Sequence, residues 1–182
     1  CALPISTIGD ASTSEGIFWE TLNAAGVLQV PLIISVWDDG YGISVPKKYQ
    51  TTKENISDII SGFEYEEGKG GLRIYKVKAW DYPSLIHTYE KAVSETRKTH
   101  IPCLVHVEEA TQPQGHSTSG SHERYKSKDR LQWEEDFDGI RKMRLWILGH
   151  SFATTGELDK IDIEAKEAVL QAKQNAWKDF LN

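Results

Sequence analysis

The amino-terminal stretch up to Tyr41 predicts a strand, a helix and a second strand, and this order constrains the fold more than any other feature of the chain. Residues 2–8 are apolar enough for a buried strand, and Leu32 to Trp37 form a β-branched run. Three apolar residues at helical spacing lie between them: Phe18, Leu22 and Ala25. A βαβ unit of roughly thirty residues makes its two strands parallel. We therefore expect an α/β fold in which a mostly parallel sheet is flanked by helices.

An acidic residue follows each of these strands. Asp10 comes after the first strand and Asp39 after the second, so a parallel arrangement places both at the same edge of the sheet. The helix begins at this edge, where Ser12 and Glu15 have the spacing of a capping box, and we expect it to end before Gly26. The start of a helix favours an anion such as a phosphate, and a divalent cation would offset the repulsion from two carboxylates. The sequence therefore predicts a site for Mg²⁺ and a phosphate group.

A simpler interpretation of the same residues stays open. Asp10 could cap the helix, and Asp38, Asp39 and Gly40 could form an ordinary turn. The spacing alone does not choose between two structural turns and a binding site.

A resemblance to a known family favours the binding site. The stretches 9–10 (GD), 14–16 (SEG) and 39–44 (DGYGIS) resemble the thiamin-diphosphate motif of 2-oxoacid dehydrogenases. The resemblance implies that Mg²⁺ is bound by two carboxylates and one backbone carbonyl, which belong to Asp10, Asp39 and Tyr41. It also implies contacts with the diphosphate of thiamin diphosphate from three residues: Gly9, Ala11 and Ser12.

A long polar loop follows the strand that is predicted at residues 103–107. Its segments 115–119 (GHSTS) and 125–127 (YKS) resemble the phosphate-contacting loop of branched-chain 2-oxoacid dehydrogenase alpha subunits. The resemblance implies that His116 contacts the cofactor and takes part in catalysis, since a histidine can hydrogen-bond a diphosphate or move a proton. Ser117 and Ser127 match positions that are phosphorylated in the animal enzymes, and we expect neither to be phosphorylated in this protein.

Three residues depart from the family pattern. Ala11 replaces a glycine but still supplies its backbone, and Gly120 replaces an acidic residue of the loop. Asp39 stands where asparagine is usual, which keeps an oxygen ligand but adds a negative charge beside a diphosphate. We expect protonated His116 or a missing basic residue to balance that charge.

The rest of the chain predicts alternating helices and strands. Periodicity and turn signals predict helices at 54–63, 81–99, 130–137 and 140–148 and a strand at 72–80. Thr154 and Glu157 predict a capping box for a long amphipathic helix that ends at Asn182. We expect residues 1–149 to belong to a diphosphate- and Mg²⁺-binding domain that is incomplete at its amino end. Residues 150–182 are expected to pack on missing chain or on a partner.

Several polar residues receive no role at this point. Three histidines lie at no metal-ligand spacing, which favours surface or strand positions for them: His87, His100 and His106. Lys47 and Lys48 could face the anion, but exposed loop lysines are usually solvated, so neither is assigned.

Composition excludes some partners. No apolar run approaches the roughly eighteen residues of a membrane span, and a net charge of −6 gives no general attraction to nucleic acid. Cys1 and Cys103 fit neither a disulfide framework nor a zinc site, which agrees with a reducing compartment. We expect the protein in the cytoplasm, or in the mitochondrial matrix of a eukaryote.

The resemblance implies a complete function. It is the oxidative decarboxylation of a 2-oxo acid, followed by transfer of the acyl group to a lipoyl domain of an acyltransferase core. The match at residues 116–119 implies that the 2-oxo acid is a branched-chain one. The expected partner is a pyrimidine-binding, beta-type half that supplies the catalytic glutamate, in a homo- or hetero-oligomer, so this chain alone should be inactive. Alternatives that stay open are a pyruvate- or transketolase-type thiamin enzyme, a Mg²⁺-dependent phosphatase or phospho-acceptor domain using Asp38 or Asp39, and a non-catalytic assembly module.

Overall fold

A computed structural model describes residues 2–116 and 122–181 of the 182-residue chain. The chain divides into two compact units, residues 1–139 and residues 140–182. The first unit contains the sheet and the cavity discussed below. The second contains most of α5 (Gly139–Gly149) and all of α6 (Thr155–Leu181).

The first unit is built on a four-stranded parallel sheet. Its strands are β1 (Ile5–Gly9), β2 (Ile33–Trp37), β5 (Arg73–Lys78) and β6 (Cys103–Glu108), in the spatial order β1-β2-β6-β5. A two-residue antiparallel pair lies apart from the sheet, formed by β3 (Tyr41–Gly42) and β4 (Val45–Pro46). The expected α/β fold with a mostly parallel sheet is confirmed.

Helices cover both faces of this sheet. The helices of the first unit are α1 (Gly16–Leu28), α2 (Ile56–Ile59), α3 (Tyr82–Thr99) and α4 (Lys128–Asp136). One apolar core joins Ile34 and Leu104 of the sheet to residues of α1 and α2, and a second core joins Ile33 and Val105 to α3. The alternation along each strand sends successive side chains into different cores, as expected for a sheet buried on both faces.

Three expectations for the first βαβ unit are wrong in detail. The first strand is exposed along most of its length, because β1 is an edge strand that pairs only with β2 among the described residues. The capping box is not formed, because residues Asp10–Ser14 make a 3-10 helix and the N–H of Glu15 donates to the backbone oxygen of Ser12. The helix does not end before Gly26 but continues to Leu28.

Gly26 has a different role from the expected one. Its carbonyl oxygen accepts from the N–H of Gly71 at 3.1 Å, and a Cβ built on Gly26 would lie 3.4 Å from the Cα of Gly71. The residue therefore lets two backbones approach closely in the helix interior, while Gln29, with a φ of 52°, ends the helix.

The remaining elements agree with their predictions to within a few residues. The predicted helix at 54–63 is shorter as an α-helix, since α2 is followed by a 3-10 segment over Ile60–Phe63. The box at the start of α6 is formed, with the N–H of Thr154 donating to Glu157 Oε2 at 2.7 Å and the N–H of Glu157 donating to Thr154 Oγ1 at 3.3 Å. None of the helices in the described ranges is long and apolar enough to cross a membrane.

Candidate cofactor and metal site

A cavity of about 360 Å³ lies at the carboxyl ends of the parallel strands. Gly9, the last residue of β1, pairs with Trp37, the last residue of β2, so the chain leaves both strands at the same level. All seven residues that the sequence predicted for the site line this cavity: Gly9, Asp10, Ala11, Ser12, Asp39, Tyr41 and His116. The topology thus brings together three separate stretches of the chain, and the role of each residue as a ligand stays a prediction.

Asp10 is the most unusual residue of the cavity. Its side chain is buried at the start of the 3-10 helix, and Oδ2 has no hydrogen-bond partner among the described residues. Burial, and after it the charges of Asp38 and Asp39, raises the pKa of this carboxyl from 3.8 to about 7. A bound cation would explain a buried oxygen that has no partner in the part of the chain that the structure describes.

Asp39 is half-buried and faces the same cavity. Burial raises its pKa, while a hydrogen bond from the backbone of Tyr41 and the charge of Lys126 act in the opposite direction. Its Oδ1 accepts from the N–H of Tyr41 at 3.0 Å, and its backbone oxygen accepts from Arg130 Nη2 at 2.7 Å. Lys126 and Arg130 are therefore cationic side chains near Asp39 that the sequence did not single out.

Asp38, the neighbouring carboxylate, is fully bonded. Oδ1 accepts from the N–H of Gly40 at 2.8 Å, and Oδ2 accepts from Lys47 Nζ at 2.8 Å and from His106 Nε2 at 3.0 Å. The hydrogen bonds from His106 and Lys47 outweigh burial and lower the pKa of Asp38. This carboxylate is engaged in holding the turn, which argues against a free nucleophile at Asp38.

His106 occupies a buried strand position, as the sequence predicted for a histidine without metal spacing. Its Nδ1 lies 2.7 Å from the hydroxyl of Ser57 on α2 and its Nε2 donates to Asp38, so the ring connects two elements below the cavity. The signal in the sequence was a polar residue between Val105 and Val107, at a position where only core residues are expected. Lys47, which was left unassigned, is the second residue that holds Asp38.

The turn after β2 shapes the metal side of the cavity. Gly40 has a φ of +82°, a conformation that favours glycine, and its carbonyl oxygen accepts from the N–H of Lys47 at 2.9 Å. Asp39 and Tyr41, on either side of this glycine, both line the cavity. The turn at Asp38, Asp39 and Gly40 is therefore formed as predicted, and it also carries Asp39 of the predicted site.

A second buried charge cluster adjoins this turn, and we call it the Lys126 cluster: Lys126, Arg130 and Glu134. Lys126 Nζ lies 2.8 Å from both carboxylate oxygens of Glu134, and both of these side chains are 1% exposed. Arg130 Nε binds Glu134 Oε1 at 2.8 Å. The ring of Tyr41 lies 5.0 Å from Lys126 Nζ and 5.5 Å from the guanidinium carbon of Arg130.

His116 reaches the cavity from the loop after β6 and is exposed. It is the one side chain among the described lining residues that could carry a positive charge. Ser117 and Gly120 lie outside the described residues. Ser127 is exposed and caps α4, because its hydroxyl oxygen accepts from the N–H of Arg130 at 3.1 Å.

The chemistry of these donors fits Mg²⁺. Two carboxylates with raised pKa values converge on one cavity, and the Asp10 oxygen lacks a donor among the described residues. Within residues 2–116 and 122–181, no three side chains of His, Cys, Asp or Glu form a complete metal-ligand group. A site with two carboxylates leaves the other octahedral positions to a backbone carbonyl, water and phosphate oxygens, which is how Mg²⁺ is commonly held.

Comparison with known proteins identifies the family. The model of the family described as "Dehydrogenase E1 component" matches residues 2–180. The chain belongs to the dehydrogenase E1 component family. This match confirms the resemblance on which the site residues were predicted.

Proteins related to this E1 component chain are named as different enzymes. It is 30% identical over 183 residues to 2-oxoisovalerate dehydrogenase subunit alpha 1, mitochondrial, of Arabidopsis thaliana, covering 97% of the chain and 36% of that protein. It is 27% identical over 182 residues to a putative 2-dehydropantoate 2-reductase of the same plant, covering 97% and 47%. It is 22% identical over 166 residues to the pyruvate dehydrogenase E1 component subunit alpha of Rickettsia bellii (strain RML369-C), covering 91% and 48%. The chain thus spans between about a third and a half of these relatives.

Proposed function

We propose that this chain is the diphosphate-binding half of a thiamin-diphosphate-dependent 2-oxoacid dehydrogenase. The observation that carries the proposal is that Asp10, whose buried Oδ2 has no partner in the described residues, lines a cavity together with Asp39 and His116. Membership of the E1 component family supports the reaction class. The two carboxylates and the unsatisfied oxygen support a divalent cation as part of the site.

Each lining residue has a role in this proposal. Asp10, Asp39 and the backbone carbonyl of Tyr41 would hold Mg²⁺, and the cation would supply the positive charge that offsets the two carboxylates beside an anion. Backbone groups at Gly9, Ala11 and Ser12 contact the diphosphate where the chain leaves β1. His116 approaches from the loop after β6, at the same edge of the sheet, and would donate a hydrogen bond to a phosphate oxygen or move a proton during catalysis.

The cofactor would supply the thiazolium carbon that attacks the keto group, and the protein would supply binding, orientation and charge compensation. Asp10 and Asp39 would serve as ligands of the cation beside the diphosphate, and the hydrogen bonds of Asp38 hold the turn that precedes Asp39. Since no Lys or Arg is found among the described lining residues, binding of the diphosphate should depend on the cation.

The finer parts of the proposal concern the whole enzyme. The substrate is a branched-chain 2-oxo acid, the acceptor is a lipoyl domain on an acyltransferase core, and a beta-type half completes the active site with the catalytic glutamate. The segment 116–119 (HSTS) and the plant 2-oxoisovalerate dehydrogenase relative support the branched-chain substrate. The assembly would work in the cytoplasm or in the mitochondrial matrix, and this chain alone would be inactive.

Calorimetry on the full-length protein with its partner half tests the proposal. Thiamin diphosphate should bind with Mg²⁺ and much more weakly with EDTA. Asp10→Ala should weaken Mg²⁺-dependent binding on the order of 100-fold, because it removes a charged ligand. Glu20→Ala, which removes an exposed carboxylate from α1, should have no effect. The proposal would be overturned if thiamin diphosphate bound equally well with and without Mg²⁺ and in Asp10→Ala. Acyl-phosphate formation at Asp39 would overturn it as well.

A further inference from the structure

The Lys126 cluster is buried more completely than an ordinary surface ion pair. Glu134 is 1% exposed and accepts from two cationic side chains, at 2.8 Å from Lys126 Nζ and 2.8 Å from Arg130 Nε. Burying charges costs free energy that an ion pair recovers only with good geometry and further hydrogen bonds. Stability alone therefore does not explain the Lys126 cluster. Its position beside the turn at Asp39 suggests a second role.

Arg130 connects this cluster to the predicted cation site. Its guanidinium donates from Nε to Glu134 Oε1 at 2.8 Å and from Nη2 to the backbone oxygen of Asp39 at 2.7 Å. The guanidinium also lies over two rings, at 5.5 Å from the centroid of Tyr41 and 4.7 Å from that of Trp133. The partly exposed side chain of Arg130 thus contacts both α4 and the turn that contains Asp39 and Tyr41.

The bond to Asp39 controls the orientation of a peptide group inside the turn. The Asp39 oxygen belongs to the peptide that joins Asp39 to Gly40, and the Asp39 carboxylate accepts from the N–H of Tyr41. Rotation of that peptide would therefore move both the Asp39 carboxylate and the Tyr41 backbone. On the other side of the turn, Asp38 is held independently by Lys47 and His106.

We propose that Arg130 is a positioning residue for the cation site, which it orders by bridging buried Glu134 to the Asp39 carbonyl. The inference rests on the proposed function, because it assigns Arg130 to the turn that supplies two of the cation ligands. Arg130 touches neither cation nor cofactor in this role. Its contribution is to keep the Asp39 carboxylate and the Tyr41 carbonyl directed into the cavity before the cation arrives.

The proposal requires an arginine and not merely a positive charge. A guanidinium donates in two directions from one rigid plane, whereas a lysine ammonium is a point charge on a flexible stem. Arg130→Lys keeps the charge near Asp39 but cannot reproduce both bonds with the same geometry. Arg130→Gln removes the charge and the bridge together. Lys128→Gln, on the exposed surface of α4 two residues away, removes a charge without touching the turn and is the matched control.

Mn²⁺ binding followed by electron paramagnetic resonance tests the role, with Mn²⁺ in place of Mg²⁺, thiamin diphosphate present, and the full-length protein assembled with its partner half. Arg130→Lys and Arg130→Gln should each weaken Mn²⁺ binding about 10-fold, the low end of the loss seen when an outer partner of a metal ligand is removed. Lys128→Gln should bind as the wild type does. The melting temperature of Arg130→Lys, measured without divalent cations, should stay near that of the wild type.

The outcomes separate the two proposals. If the wild type holds Mn²⁺ and Arg130→Lys binds it equally well, Arg130 acts only through charge and the bridging role is overturned. If Mn²⁺ affinity falls only as far as the folded fraction falls, Arg130 is structural and the inference is again overturned. If the wild type itself does not bind Mn²⁺ with thiamin diphosphate, the proposed function fails, whatever the variants do.

Discussion

Asp38 and Asp10 are both buried acids at the same edge of the sheet, yet they are in opposite states. Asp38 accepts hydrogen bonds on both oxygens from a backbone N–H, a lysine and a histidine, and its pKa is lowered. Asp10 has an oxygen with no partner among the described residues, and its pKa is raised to about 7. Within residues 2–116 and 122–181, protein groups thus satisfy Asp38, whereas Asp10 keeps an oxygen that a bound cation would satisfy.

This difference in hydrogen bonding and pKa separates an acid that holds the fold from one that is predicted to bind a cation, more clearly than sequence position does. Asp38 and Asp39 are neighbours in the chain, but Asp39 shares the raised pKa of Asp10 and lines the same cavity. Asp38 holds the turn, whereas Asp10 and Asp39 face the cavity that the turn helps to form. Raised pKa values at a concave site, such as those of Asp10 and Asp39, are expected of binding residues. The hydrogen-bonded carboxylate of Asp38 instead holds the turn beside that site.

The largest expected effect comes from exchanging each acid for its neutral isostere. Asp38→Asn should lower the free energy of unfolding by about 3 kcal/mol, because it weakens the hydrogen bonds that hold the turn and leaves buried His106 and half-buried Lys47 poorly paired. Asp10→Asn should leave stability unchanged or raise it slightly at pH 8, because it removes a buried charge without a partner. Urea unfolding in EDTA measures both. Equal losses from the two variants would contradict the comparison.

A smaller effect is expected from pH, and its sign differs between the two acids. The pKa of Asp10 rises from 3.8 to about 7 on folding, so its protonated form stabilises the native state at low pH and this stability is lost as pH rises towards 7. Asp38, with a lowered pKa, stabilises above its unfolded pKa, and that contribution is lost only below about pH 4. Between pH 5 and pH 8 the Asp10 contribution dominates.

Without divalent cations, the protein should therefore be less stable at pH 8 than at pH 5, by about 2 kcal/mol. Asp10→Asn should flatten most of this slope, and Mg²⁺ should stabilise the wild type more at pH 8 than at pH 5, because the cation competes with the proton. Chemical unfolding at several pH values provides the measurement. A slope that persists in Asp10→Asn would show that another group carries it.

The fold was largely predictable because its signals are local. Apolar runs, helical spacing and the βαβ rule identify the parallel sheet, and the Thr154–Glu157 box and turn residues place most helix ends outside the first βαβ unit. The errors arise where tertiary contact overrides a local signal. Gly26 continues a helix because another backbone packs against it, and the apolar β1 is exposed because a strand's burial depends on its neighbours.

The site was predictable in part, for the same reason. The motif and the rule that parallel strands end together predicted which residues would share one cavity. The groups that hold them were not predicted, because they come from distant positions without a motif. Arg130 lies far along the chain from Asp39, and only the packing of α4 shows that its guanidinium reaches the Asp39 carbonyl. His106 could have been noticed as a polar residue in a core strand, but its partner Asp38 could not.

The smallest expected effect on stability comes from His116, which is predicted to bind the cofactor without holding the fold. The residue is exposed and lines the cavity from a polar loop, so it should contribute to binding and almost nothing to the core. His116→Ala should change the free energy of unfolding by less than about 0.5 kcal/mol and weaken thiamin diphosphate binding or slow acyl transfer to the lipoyl group. His87→Ala, an exposed histidine on α3, is the control. A large fall in melting temperature would mean that His116 is structural, like Asp38. Lining the cavity would then not be enough to identify a binding residue.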